Sequence, residues 1–196
     1  MRVPVFFIVA LYFISSCNNK SGKAQETAVT DTVNVPVEKP SFIPVTAYLK
    51  GQLLSIREKA INPIRTITSG NKTDSSWLKI EDLNETVAEF LTPVIDSSSM
   101  TAFFKEEKFN DQTLNAFTFT YAPKIELPDS ITLQHWDVYI NPETGNISKI
   151  YMVKSKMDTT LQLTWASDQW FSIRTLINKA GGNTVLEKEE KITWKF

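Results

Sequence analysis

His135, the only histidine in the chain, stands two residues before Asp137, and an imidazole beside a carboxylate is the pair that activates a serine hydroxyl in hydrolases. Serines are plentiful, so counting residues leaves that arrangement open. On a strand, however, positions i and i+2 share a face about 7 Å apart along the backbone, which suits a solvent-side pair as well as a catalytic one. A single histidine excludes a His-rich metal site and any mechanism that needs two imidazoles. No Gly-x-Ser-x-Gly elbow, Gly-rich phosphate loop, His-Glu-x-x-His helix or Cys-x-x-Cys pair is present, so no catalytic residue, metal or cofactor is assigned. The carboxylates Glu106, Glu107, Glu187, Glu189 and Glu190 lie among lysines, the pattern of a solvated or edge strand. Aromatic residues carry more information. Trp77, Trp136, Trp165, Trp170 and Trp194 are many for one domain, and most such residues belong to a core. Trp170 and Arg174 fall on the opposite parity from Phe171, Ile173 and Ile177, and tryptophan and arginine are enriched at interaction hot spots. Trp170, Arg174, His135, Asp137 and Tyr139 are therefore the candidate binding surface.

The only cysteine, Cys17, offers a different chemistry. A charged start at Arg2, an apolar run from Val3 to Ile14 and small residues before Cys17 form a secretory signal, with a run too short for the ~20 apolar residues of a membrane helix. Ile14-Ser15-Ser16-Cys17 resembles the lipobox of bacterial lipoproteins. That resemblance implies cleavage between Ser16 and Cys17, diacylglycerol on the Cys17 sulfur and a further acyl chain on the new amino group. Two or three chains, at ~0.8 kcal/mol per buried methylene, anchor a protein stably. With no second thiol there is no internal disulfide, and packing must hold the fold.

A composition of 42% hydrophobic residues with a formal net charge of −1 supplies ample core and no field to steer the chain onto nucleic acid. Residues 1–16 read as the signal peptide, 17–41 as the lipidated cysteine and a tether, and 42–196 as one globular domain. The tether is Asn, Ser, Lys, Thr, Glu and Val with Pro36 and Pro40, lacks apolar periodicity and reads as disordered, with a span of roughly 25–30 Å by the random-coil rule. Within it, Asp31-Thr32-Val33 resembles an O-glycosylation acceptor of the Bacteroidota.

Two elements with helical period come first. Val45, Leu49, Leu53, Ile56 and Ala60 predict an amphipathic helix stopped at Asn62-Pro63; Leu83, Val87, Phe90 and Leu91 predict a second, with Asp82 and Glu85 as a capping pair and Thr92-Pro93 as its end. Between them, Ile64–Thr68 and Lys72–Trp77 predict a hairpin around Ser69-Gly70-Asn71. From Phe103 the period is two, with strands expected around Phe117–Tyr121 and over Ile131–Ile140, Asn146–Lys154, Thr159–Trp165, Trp170–Ile177 and Thr184–Phe196. Their short connections join antiparallel neighbours. The expected fold is α+β, with N-terminal amphipathic helices packed on one face of a twisted antiparallel β-meander.

Asp137–Ile147, reading Asp-Val-Tyr-Ile-Asn-Pro-Glu-Thr-Gly-Asn-Ile, resembles the strand-turn-strand of PepSY-like modules, with Asn141 in place of the usual aspartate. That likeness implies a small secreted accessory module. As a whole the chain resembles uncharacterised lipoproteins of the Bacteroidota, and Asn18-Asn19-Lys20-Ser21 lacks the acidic cluster associated with surface export there, which favours the periplasmic side of the outer membrane. Ile192, Trp194 and Phe196 resemble the closing signal of an outer-membrane barrel, but helical patterns in the first half and charges on both strand parities oppose it. The expected function is a non-catalytic binding or accessory module of the cell envelope, its partners the membrane through the acyl chains and an envelope protein or glycan, not nucleic acid. The rival is a carrier of a lipid or other hydrophobic ligand in a cavity between helix and sheet, with a hydrolase as a distant third.

Overall fold

The computed structural model describes residues 41–179 and 181–194. Cys17, its cleavage site, the signal peptide, all but the end of the tether and Phe196 lie outside them. Alternating residues from Phe104 onward form β3 (Phe104–Asp111), β4 (Ala116–Pro123), β5 (Leu133–Ile140), β6 (Ile147–Lys156), β7 (Thr159–Ala166), β8 (Trp170–Asn178) and β9 (Thr184–Thr193), each antiparallel to the next. Turn chemistry explains their spacing. Between β5 and β6 the Asn141 Oδ1 accepts from the N–H of Glu143 at 2.8 Å and of Thr144 at 3.2 Å, and Gly145 takes φ 70°, where a Cβ would be strained. An aspartate would accept the same bonds.

The hairpin forms as expected from β1 (Ile64–Ser69) and β2 (Lys72–Trp77), but its place does not follow from local pattern. β1 pairs antiparallel with β9, giving the order β2-β1-β9-β8-β7-β6-β5-β4-β3. The architecture is thus α+β: an open, nine-stranded antiparallel sheet with a few helices. Docking the hairpin turns β9 from an edge into an interior strand and overturns the reading of Glu190 as solvated. Its side chain is 8% exposed and meets Arg65 Nε at 2.8 Å and Lys188 Nζ at 3.2 Å. Glu106 and Glu107 do lie on an edge strand, β3, paired with Lys108 and Lys105.

α1 (Val45–Glu58) buries Val45, Leu49, Leu53 and Ile56 and ends at Glu58, so Ala60, expected on the buried stripe, is exposed in the left-handed region at φ 50°. The second expected helix is broken into a 3-10 turn (Ile80–Asp82), α2 (Leu83–Thr86) and α3 (Ala88–Leu91). Its stripe survives, since Leu83, Val87 and Phe90 are fully buried; the break falls at Val87, whose ψ of 2° leaves the helical region. The Asp82–Glu85 capping pair does not form, because Asp82 continues the preceding turn in a helical conformation and its side chain caps nothing. An unforeseen α4 (Ser97–Met100) carries the capping box instead: Asp96 Oδ1 accepts from the Ser99 N–H at 2.9 Å, and the Ser99 hydroxyl lies 3.3 Å from the Asp96 N–H.

The apolar residues of α1, Phe90 and the inward strand residues form one core. Tyr121 stacks on Trp136 at 4.5 Å and Phe104 meets the same indole edge-on at 4.8 Å; Trp165 stacks on Phe171 at 4.9 Å, with Phe90 at 5.4 Å from both. Each such pair adds ~0.5–1.5 kcal/mol beyond area burial. Tyr48 Oη lies 2.6 Å from Ser167 Oγ, and Gln52 Oε1 accepts from the Asp168 N–H at 2.9 Å, tying α1 to the β7–β8 turn.

Candidate functional site

Residues directly opposite in antiparallel strands point to the same side, so the register defines rungs across the face away from the core. The first rung runs Trp77, Ile64, Thr193, Trp170, Ala166, Lys149, Tyr139, Thr118 and Phe109 from β2 to β3. A second carries Ser75, Thr66, Lys191, Ser172, Thr164, Tyr151, Asp137, Thr120 and Glu107. On the third stand Thr73, Thr68, Glu189, Arg174, Gln162, Val153 and His135. All five residues singled out from the sequence thus lie on one face: Trp170 and Tyr139 on the first rung, Asp137 on the second, Arg174 and His135 on the third. All five are half-buried. Trp136 and Val138, which alternate with them, are fully buried.

Local bonds show what these side chains do. Asp137 Oδ1 accepts from the Thr120 hydroxyl at 2.7 Å, and His135 lies with its ring 5.8 Å from that of Tyr151. Among the described residues no hydrogen bond joins His135 to Asp137. Arg174 Nη1 donates to Gln162 Oε1 at 3.2 Å. Two lysines lie over aromatic faces, Lys149 Nζ 4.0 Å from the Tyr139 ring and Lys191 Nζ 4.5 Å from that of Trp170. Burial pushes the Tyr139 phenol above its ordinary value, with the negative charges of Asp137 and Asp111 adding to the effect. Tyr151 is raised by burial and by Asp137, against an opposing contribution from Arg174. Both phenols therefore stay neutral hydrogen-bonding groups through the physiological range. Among the described residues no group of three or more His, Cys, Asp or Glu side chains is placed to hold a metal ion.

Sequence reasoning missed Tyr151, Lys149, Lys191 and Trp77. Parity within β6 would have found the first two; Trp77 needed the pairing of β1 with β9, which no local signal carries. Trp77 is 71% exposed and borders a cleft of about 480 Å³ whose lining includes Asn62, Ile64, Gln169, Trp170, Thr193 and Trp194. On the core side, a crevice of about 590 Å³ holds Lys154, 5% exposed, whose Nζ meets Glu89 Oε2 at 2.7 Å. No family model matches the chain, and neither the curated proteins nor the solved structures compared with it give a match. Among the described residues no helix is long and apolar enough to cross a membrane.

Proposed function

We propose that this chain is a lipid-anchored, non-catalytic binding module of the cell envelope, held on the periplasmic side of the outer membrane by acyl chains on Cys17. The helices cover one face of the sheet, and the other face engages an envelope partner. The observation that carries this reading is the contrast between the two faces. On the helix side, stacked and edge-on rings of Tyr121, Trp136, Phe90, Trp165 and Phe171 fill the centre of the core, and the crevice beside it is lined by the Lys154–Glu89 ion pair rather than by a wholly apolar wall. On the other side, Trp170, Arg174, Tyr139 and Tyr151 stand half-buried on rigid strands, the residue types that dominate interaction hot spots.

A photo-reactive residue introduced at Arg174, and in a second variant at Glu58 on α1, tests the assignment in native envelopes. Cross-links to an envelope component should form from position 174 and not from 58. Equal yields from both positions would remove the open face from consideration, and a lipid co-purifying in equimolar amount would transfer the protein to the carrier class.

A further inference from the structure

The cleft at the β2–β8 end of the open face has a chemistry narrower than the face as a whole. Trp77, Ile64, Thr193 and Trp170 occupy one rung over four adjacent strands, so at ~4.8 Å per strand the two tryptophans stand about 14 Å apart on a shared floor. Trp77 ends β2, an edge strand whose other residues are Lys72, Thr73, Asp74, Ser75 and Ser76, all exposed; among the described residues no aromatic ring pairs with its indole. A largely solvated indole beside apolar surface is the kind of exposed feature that calls for an occupant. At the rim, the Asn62 and Gln169 side chains each supply an amide donor and acceptor, and Thr193 a hydroxyl.

Charge and shape decide among occupants. Among the described residues the lining holds no carboxylate to meet a cationic ligand and no basic side chain to hold an anion. An acyl chain gains most in an enclosed cavity, whereas this cleft of about 480 Å³ leaves Trp77 71% in solvent. A pyranose fits both properties. Its C–H face lies flat on an indole, its hydroxyls reach amides at the rim, and its outer side stays hydrated. The volume falls in the ~300–1,000 Å³ range of small-ligand clefts. Lys191 Nζ covers one face of the Trp170 ring at 4.5 Å, so stacking on Trp170 uses the opposite face of the indole, and Trp77 is the more open platform.

We propose that this cleft binds a neutral oligosaccharide, with Trp77 and Trp170 as stacking platforms and Asn62 and Gln169 as hydroxyl partners. The proposal rests on the binding-module reading above and gives that module a glycan ligand. Its test is calorimetric titration of the full chain with chitohexaose, cellohexaose and laminarihexaose. At least one should saturate the protein, with Trp77→Ala and Asn62→Ala each lowering affinity tenfold or more and Trp77→Phe, which keeps a ring, recovering most of it. Because Trp77 is exposed, Trp77→Ala should melt as the wild type does, so lost binding reads as a lost contact. Lys50→Ala, on the exposed side of α1 and outside the open face, should change affinity by less than about twofold. No saturable binding by any of the three overturns the proposal while leaving the cross-linking result at position 174 to judge the module. Binding that survives Trp77→Ala but falls with Arg174→Ala moves the glycan off this cleft and onto the central face, and also overturns it. Capture of a protein from position 77 with no sugar bound would replace the glycan with a protein partner.

Discussion

His135 and Trp136 are neighbours in the chain and opposites in the molecule. One strand step turns the imidazole toward the open face and the indole into a core where Tyr121 stacks on it. Trp136→Ala should therefore cost about 3–5 kcal/mol, read by denaturant melts, whereas His135→Ala should stay near the wild type in stability, within about 0.5 kcal/mol. A His135→Ala protein that folds normally yet reproduces the loss of function of a deletion would point to catalysis, with Asp137 next to test. The tyrosines give a second residue-scale expectation. Tyr121, Tyr139 and Tyr151 have phenols raised above their ordinary value of 10.0, chiefly by burial, so the folded state holds these protons more tightly than the unfolded chain does. That contribution is fully present below about pH 10 and is lost as pH rises through the raised values. Replacing Tyr139 and Tyr151 together by Phe should flatten the loss of stability above pH 10; an unchanged alkaline slope would mean that neither phenol is held in the folded state.

Helix phase was legible because it is local: Leu49, Leu53 and Ile56 repeat at helical spacing and all three are buried. Leu53→Ala or Phe90→Ala should each cost about 2–5 kcal/mol, while Lys50→Ala, on the exposed side of α1, should stay within about 0.5 kcal/mol. Equal small losses at all three positions would contradict the observed packing. Strand positions from β5 onward were legible for the same reason, since turns such as Asn141–Gly145 and the alternation around Trp136 are written in consecutive residues, whereas β3, rich in charge on an edge, was not marked out. The docking of β1 on β9 was not, because it joins segments from opposite ends of the domain and leaves no periodic trace. Two misreadings follow from that one pairing. Sequence alone reads Glu190 as a solvated acid, although Arg65 reaches across from the hairpin to form an ion pair with it, and it groups the exposed Trp77 with core indoles. Removing Arg65 leaves a buried carboxylate with only Lys188, which is 42% exposed, beside it. Arg65→Ala should thus destabilise the fold by about 1–3 kcal/mol, clearly more than Lys188→Ala, and hydrogen exchange should quicken first in β1 and β2. Equal effects of the two substitutions would make the cross-hairpin ion pair energetically idle.

At the scale of the whole molecule, an open sheet carries two exposed edges, and both are guarded. β2 presents Lys72 and Asp74, and β3 presents Lys105, Glu107 and Lys108, charges that disfavour pairing with a second chain. A membrane anchor holds many copies close together, which makes such protection more consequential than it is for a dilute protein. Under the proposed function the attachment would lie at Cys17; among the described residues no helix is long and apolar enough to cross a membrane. Cys17→Ser should abolish processing by the lipoprotein peptidase and move the protein out of the detergent phase on phase partitioning. Its far-ultraviolet dichroism should stay that of the wild type, since the core among the described residues runs from Phe42 to Trp194. Because the proposed glycan cleft lies on the sheet, the unlipidated protein should bind hexasaccharide as the wild type does while losing its attachment to membranes. Partitioning that is identical for mutant and wild type would remove the anchor, and with it the outer-membrane assignment, but would leave the two-faced sheet and its tryptophan cleft to be judged on their own measurements.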